Sequence, residues 1–365
     1  MRLLLLALLL SAVPTGSHAF NLIDLDHRDN IYSVVKNGED VWAVGYPGKM
    51  LHSKDKGNTW KLLSVAKKSD ALFSIDFGDS KVGLISGRDG VILRTMNGGK
   101  NWTRIDTKAP EPLFDVEMVG PNKAWAVGHF NTILHSSDGG VSWQKQVFEL
   151  SEDAFDEPGL HAVSFADEKN GWIVGEFGTI LHTEDGGETW NAQKSGVAYS
   201  LYDVCFSSPM VGTAVGSWGT VLRTENGGNN WVKAYVSEKE HLYTLFHLDE
   251  AHFIAVGQDG GLVEGNMPPG VAPSETMSSE EDKTNAEDTK DVALTEDGEP
   301  GSPPISKVEA AAPNIGQYKH RKIGIYTWLD NLQFFDAKRG LAVGGRGNML
   351  LTEDGGQTWT NISGK

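Results

Sequence analysis

Two sets of residues in this 365-residue chain are of types that do chemistry. One is a carboxylate or amide that returns at a fixed place: Asp55, Asn97, Asp138, Asp185, Asn226 and Asp354. The other is a histidine three positions before three of these, His52, His135 and His182, where Arg94 and Arg223 stand in other copies. Convergent carboxylates would serve acid–base hydrolysis, and three convergent histidines would serve a metal. Each residue, however, occupies the same slot of one recurring phrase, Ser/Thr-x-Asp/Asn-x-Gly-x-x-Trp. That phrase ends at Trp60, Trp102, Trp143, Trp190, Trp231 and Trp359. Equivalent slots of successive repeats are distributed around a structure and do not meet. Neither a catalytic residue nor a metal site is therefore expected from either set. The composition suits a turn instead. Asp or Asn bonds nearby backbone N–H groups, Gly supplies φ > 0, and Trp opens the next strand with a large ring to bury.

The elements that position the phrase follow from its period. Leading glycines at Gly45, Gly87, Gly128, Gly175, Gly216, Gly257 and Gly344 are spaced 42, 41, 47, 41, 41 and 87 residues apart. Each unit reads as four short strands, as in Leu201–Phe206, Gly212–Gly216, Thr220–Thr224 and Trp231–Tyr235. Four strands at a period of forty-odd residues predict an all-β, seven-bladed propeller of four-stranded blades, ahead of a β-solenoid, whose coils are usually shorter. Asn21–Asp24 reads as a spare fourth strand for the last blade, which also has its own candidate in Trp359–Ile362.

Composition narrows the function. The formal net charge of −17 argues against nucleic-acid or anionic-membrane binding. A single cysteine, Cys205, excludes an intrachain disulfide and a cysteine-based zinc cluster. The apolar run Leu3–Val13, broken by Pro14 and followed by Ser17-His18-Ala19, reads as a secretory signal over residues 1–19. Blades 1–6 are then expected over residues 20–266. Residues 267–313 hold seven of the fourteen prolines, eleven acids and three lysines, and read as an acidic, disordered insert between blades six and seven. Blade 7 and ring closure are assigned to residues 314–365.

The loops between the second and third strands surround one mouth of the central channel. Tyr46, Arg88, His129, Phe130, Glu176, Phe177, Trp218 and Arg346 lie on them and form a candidate partner-binding face. The alternative is that the aromatics fold down and plug the channel. A second set, Tyr32, Phe73, Phe114, His161, Tyr202, Tyr243 and Trp328, opens the first strand of each unit, where core packing is expected.

The phrase Val-Gly-x-x-Gly-x-Ile/Val-Leu-x-Thr-x-Asp-Gly-Gly-x-x-Trp stands nearly whole at Val174–Trp190 and Val215–Trp231. With the unit count and the leader, it resembles the photosystem II stability/assembly factor family of Asp-box, or bacterial neuraminidase repeat, propellers. That resemblance implies a non-enzymatic lumenal or periplasmic propeller, without cofactor, that helps to assemble an integral membrane complex. A monomer with no membrane insertion after leader cleavage is expected. Photosynthetic members carry an arginine-rich patch. This chain has eight arginines after its leader, which points to a non-photosynthetic bacterial relative. The rival class is a secreted sialidase-like glycoside hydrolase or glycan-binding propeller. No Arg-Ile-Pro motif follows the leader, and Arg28 is the only early arginine of the mature chain. Two carboxylates converging in one deep pocket would favour the hydrolase.

Overall fold

The computed structural model describes residues 25–64, 66–148, 157–236, 240–266 and 317–363. They form seven four-stranded antiparallel sheets, each built from four consecutive strands. The first comprises Asn30–Asn37, Asp40–Tyr46, Lys49–Ser53 and Lys61–Leu62. The innermost strands of successive sheets touch one another around a closed circuit, the last touching the first. Burial follows strand position. Second strands such as Gly83–Gly87 and Gly171–Gly175 are buried along their whole length, because blades cover both of their faces. Such strands read as short apolar runs rather than as alternating patterns.

The core is divided into seven clusters, and each joins two neighbouring blades. Trp42, Val44 and Met50 of blade 1 meet Leu72, Ile75 and Ile85 of blade 2 in one of them. The seventh closes the ring: Ile31, Val34, Val41 and Leu51 pack on Phe335, Leu341, Val343 and Leu351. Polar contacts reinforce this joint. Val34 N–H donates to Asn331 Oδ1 (3.3 Å), Lys36 Nζ to the Phe335 carbonyl (2.8 Å), and Arg339 Nε to the Lys56 carbonyl (3.1 Å). Thr360–Asn361 is the fourth strand of the last blade. The candidate latch Asn21–Asp24 and the leader over residues 1–19 lie outside the described residues.

The sequence-based boundary of the last blade requires correction. Gln317–Lys322 pairs along its length with Gly261–Asn266 and is the outer strand of blade 6. Blade 7 begins only at Leu329–Phe334. The insert therefore interrupts blade 6 between its third and fourth strands, not the join between two blades. Asn266 lies directly across from Gln317, so the chain leaves and returns at one point. This is the slot that the Asp/Asn turn fills in the other six units, which accounts for its loss from the sixth. Residues 267–313 themselves lie outside the described residues.

Candidate functional site

The recurring turn is a hydrogen-bonded knot. In blade 3, Asp138 Oδ1 accepts from the N–H groups of Val141 (3.0 Å) and Ser142 (2.9 Å) and from Ser136 Oγ (2.8 Å). Its Oδ2 accepts from Ser142 Oγ (2.6 Å). Burial acts to raise the carboxyl pKa. The hydrogen bonds from Ser142 and its neighbours outweigh it and leave the group at about 2. The same pattern holds Asp55, Asp185 and Asp354, while Asn97 and Asn226 accept the equivalent backbone bond. Trp60, Trp143 and Trp359 donate their indole N–H to a glycine carbonyl of their own turn. Trp190 and Trp231 donate to Gln146 and Gln193 of the preceding blade. Trp102 has no hydrogen-bond partner for its indole N–H. Replacing Asp138 with Ala should lower stability by about 1–2 kcal/mol through loss of these bonds, read by urea denaturation. A change below a few tenths would mean that solvent serves the turn as well.

The three histidines do not meet. His52, His135 and His182 lie directly across from Trp42, Trp125 and Trp172 on the adjoining strand and stack on them, with centroids 3.8, 4.8 and 4.5 Å apart. Burial lowers all three pKa values, which keeps the imidazoles neutral. Among the described residues, no group of three His, Cys, Asp or Glu side chains is placed to hold a metal ion.

The candidate face is built at the opposite end of the strands. At its rim, Tyr46 (37% exposed), Phe130 (50%) and Phe177 (45%) stand out of the surface, with Arg88 and Arg346 also exposed. Arg88 lies over the Tyr46 ring, 5.8 Å from its centroid. Trp218 differs: it is half-buried and leans on His241 of the next blade, 5.3 Å between centroids. His129 is half-buried between Phe114 and Phe130, and Glu176 accepts the Gly159 N–H at 2.8 Å. Phe130, Phe177, Trp218 and Arg346 all have φ between 52° and 58°. Bulky side chains seldom adopt this left-handed region, and it costs roughly 1–2 kcal/mol per residue.

Below the rim lies a feature that the sequence reading misplaced. Every innermost strand carries a β-bulge after its first core residue. The bulged residues are Tyr32, Phe73, Phe114, His161, Tyr202, Tyr243 and, in blade 7, Asp330. Trp328 was expected to be the seventh member, but the register Leu329↔Gly344, Asn331↔Val343 assigns the bulge to Asp330. The aromatics are not core residues either, for none belongs to the seven clusters. A bulge bends the strand and re-aims its side chain, and these side chains form a belt around the channel mouth. Successive centroids are 5.7, 5.9, 5.9, 5.3 and 5.3 Å apart from Tyr32 to Tyr243. Sequence reasoning also missed Tyr326, which is 91% exposed on the loop entering blade 7.

Deeper still, carboxylates line the inner strands. Asp115 Oδ2 accepts the Val163 N–H (3.0 Å), Asp76 the Met118 N–H (2.8 Å), Glu117 the Phe165 N–H (3.0 Å) and Asp203 the Leu245 N–H (2.9 Å). Each bond runs from one blade to the inner edge of the next, satisfying N–H groups that no strand pairs. Although these side chains are only half-buried by surface area, protein encloses them on every side, and that enclosure raises all four pKa values. Asp76 reaches about 6 and Asp203 about 7.

A closed ring of four-stranded blades, tied by one recurrent turn and open at an aromatic mouth, defines a seven-bladed propeller of the bacterial neuraminidase repeat type. The family model for the photosynthesis system II assembly factor YCF48 matches residues 15–113 and 97–197, half of the chain, and the chain belongs to that family. It is 29% identical over 146 residues to the photosystem II assembly lipoprotein Ycf48 of Synechococcus sp. (strain CC9902), an alignment covering 38% of this chain and 44% of that one. Against the photosystem II stability/assembly factor HCF136 of Arabidopsis thaliana it is 32% identical over 83 residues, 22% of this chain and 19% of the relative. The chain thus spans less than half the length of these relatives. Among solved structures, YCF48 bound to a D1 peptide superposes with a TM-score of 0.64 at 16% identity, covering 91% of this chain and 95% of the other. YCF48 from Cyanidioschyzon merolae gives 0.63 at 17%, covering 91% and 97%. At such identities the likeness is one of fold.

Proposed function

We propose that this protein is an exported, non-catalytic, monomeric propeller that holds a segment of an integral membrane protein while its complex is assembled. The mouth lined by Tyr46, Arg88, His129, Phe130, Glu176, Phe177, Trp218 and Arg346 is the docking face. The observation that carries this is the rim itself: Tyr46, Phe130 and Phe177 stand exposed beside Arg88 and Arg346 on loops around one opening. Exposed aromatics flanked by arginines are the residue types that anchor protein interfaces. A relative's structure with a D1 peptide supports a membrane-protein segment as the class of partner. The apolar leader supports export to a periplasm, or to a thylakoid lumen in a photosynthetic host. The acidic balance and the few arginines favour a non-photosynthetic bacterial host.

The hydrolase reading has one observation in its favour, the gathering of Asp76, Asp115, Glu117 and Asp203 along the channel. Each of these carboxylates, however, is committed to a backbone N–H of the next blade. The test is crosslinked affinity purification of the tagged protein from its host's membranes, beside a Phe177→Ala/Trp218→Ala variant. Enrichment of one integral membrane complex, reduced at least tenfold in the variant, is expected. Equal enrichment in both would move the face elsewhere. No membrane partner in either would overturn the docking reading and bring glycan-hydrolysis assays forward.

A further inference from the structure

The aromatic belt is interrupted at one point, and the residue there is an acid. Asp330 occupies the bulge position that Tyr32, Phe73, Phe114, His161, Tyr202 and Tyr243 occupy in the other blades. Its Oδ2 is buried and has no hydrogen-bond partner among the described residues, while the Trp328 side chain hydrogen-bonds to the carboxyl group. The six rings are half-buried, so part of each stays open to solvent. Neighbouring centroids 5.3–5.9 Å apart on a seven-membered ring place the axis roughly 6.5 Å from each, near the limit of about 6 Å within which a ring face attracts a cation. A cation displaced from the axis toward Asp330 would approach the flanking rings and the half-buried carboxyl group together.

We infer that the belt is a binding cup for one organic cation of the guanidinium or alkylammonium class, with Asp330 as its counter-charge. This goes beyond the docking face, since it assigns a ligand chemistry to residues beneath the rim and does not depend on what the rim holds. Enclosure raises the Asp330 carboxyl to about 8, so a cation that enters should expel a proton. Of the titratable groups, Tyr32 of blade 1 interacts with it electrostatically, and Arg88 and Tyr46 in turn stand beside Tyr32. Arg88 and Arg346 are exposed on the rim.

The test is calorimetric titration of the full chain at pH 7 with N-acetyl-arginine amide, N-acetyl-lysine amide and tetramethylammonium, beside uncharged N-acetyl-citrulline amide. The cations should bind at least tenfold more tightly than citrulline amide. Their binding enthalpy should change between buffers of different ionisation enthalpy, reporting proton release. Asp330→Asn should abolish both the preference and the release, and Phe73→Leu should weaken cation binding about threefold or more. Thermal unfolding of each variant checks that the fold is intact. Equal affinity for arginine and citrulline amides, no detectable binding, or an Asp330→Asn variant that binds like the parent would overturn the inference. A negative result leaves the rim reading intact, because that rests on Phe177 and Trp218 and on a different measurement.

Discussion

Gly99→Ala should be among the most damaging single-atom-scale changes in the propeller, lowering stability by about 2–5 kcal/mol. Gly99 is the second glycine of the blade 2 turn and has φ of 77°. A Cβ there would lie 2.2 Å from Trp42 Cη2 and 2.3 Å from its Cζ2. Trp42 belongs to blade 1, is 1% exposed, stacks on His52 and meets the edge of Trp102, so it has nowhere to go. The same packing recurs where the Gly187 turn covers Trp125 and where the Gly140 turn covers Leu84. The turn is therefore a staple between blades as well as a hairpin. Gly120→Ala separates the two costs. It has φ of 70° with nothing within 4 Å of the added carbon, so only backbone strain of about 1–2 kcal/mol applies. Urea unfolding of both variants with an unchanged slope is the measurement. Equal losses at the two sites would show that Trp42 has slack, and the staple would be discarded.

Stability should fall by about 1–2 kcal/mol as pH rises from 6.5 to 8. Asp76 at about 6, Asp203 at about 7 and Asp330 at about 8 have folded-state values above the ordinary carboxylate range. Between pH 4 and 8 these three groups therefore hold more protons in the folded state than in the unfolded state. The stability these groups contribute is present at low pH and is lost as each ionises. His247 works in the opposite direction, for burial lowers it to about 4, so folding gains as pH rises from 4 toward 6.5. His52, His135 and His182 are shifted the same way. An unfolded histidine is still half protonated at 6.5, so a smaller opposing gain runs on to about pH 7.5, and the acids outweigh it most clearly in the upper part of that window. An Asp203→Asn/Asp330→Asn variant should flatten it. Chemical denaturation at pH 6.5 and 8 decides the matter: a parent whose stability rises across this interval would mean that the channel acids ionise as easily as exposed ones.

The repeat was legible without coordinates because it is enforced locally. Ser/Thr, Asp/Asn, Gly and Trp at fixed spacing make the turn's bonds, its positive φ and its buried ring, so their recurrence marked six units, and the seven leading glycines added the unit that lacks the turn. The loop positions Tyr46, Arg88, Phe130, Phe177 and Arg346 could be counted from the same landmarks, and all five are exposed.

What the sequence could not settle depended on register and on closure. Trp328 passes for the seventh belt residue by type. Counting back from the core pair Leu329 and Leu332, which matches Leu72 and Ile75 or Leu201 and Val204, selects Asp330 instead, and the bulge confirms that count. A bulge turns the side chain of one residue toward the channel, and no local propensity distinguishes that residue from its neighbour. Assignment of Gln317–Lys322 to blade 6 was likewise hidden, since pairing across a fifty-residue gap leaves no periodic trace. The gathering of Asp76, Asp115, Glu117 and Asp203 required the ring itself. Their targets are backbone N–H groups on the next blade, and only closure of the propeller brings an inner edge within reach of its neighbour's side chains.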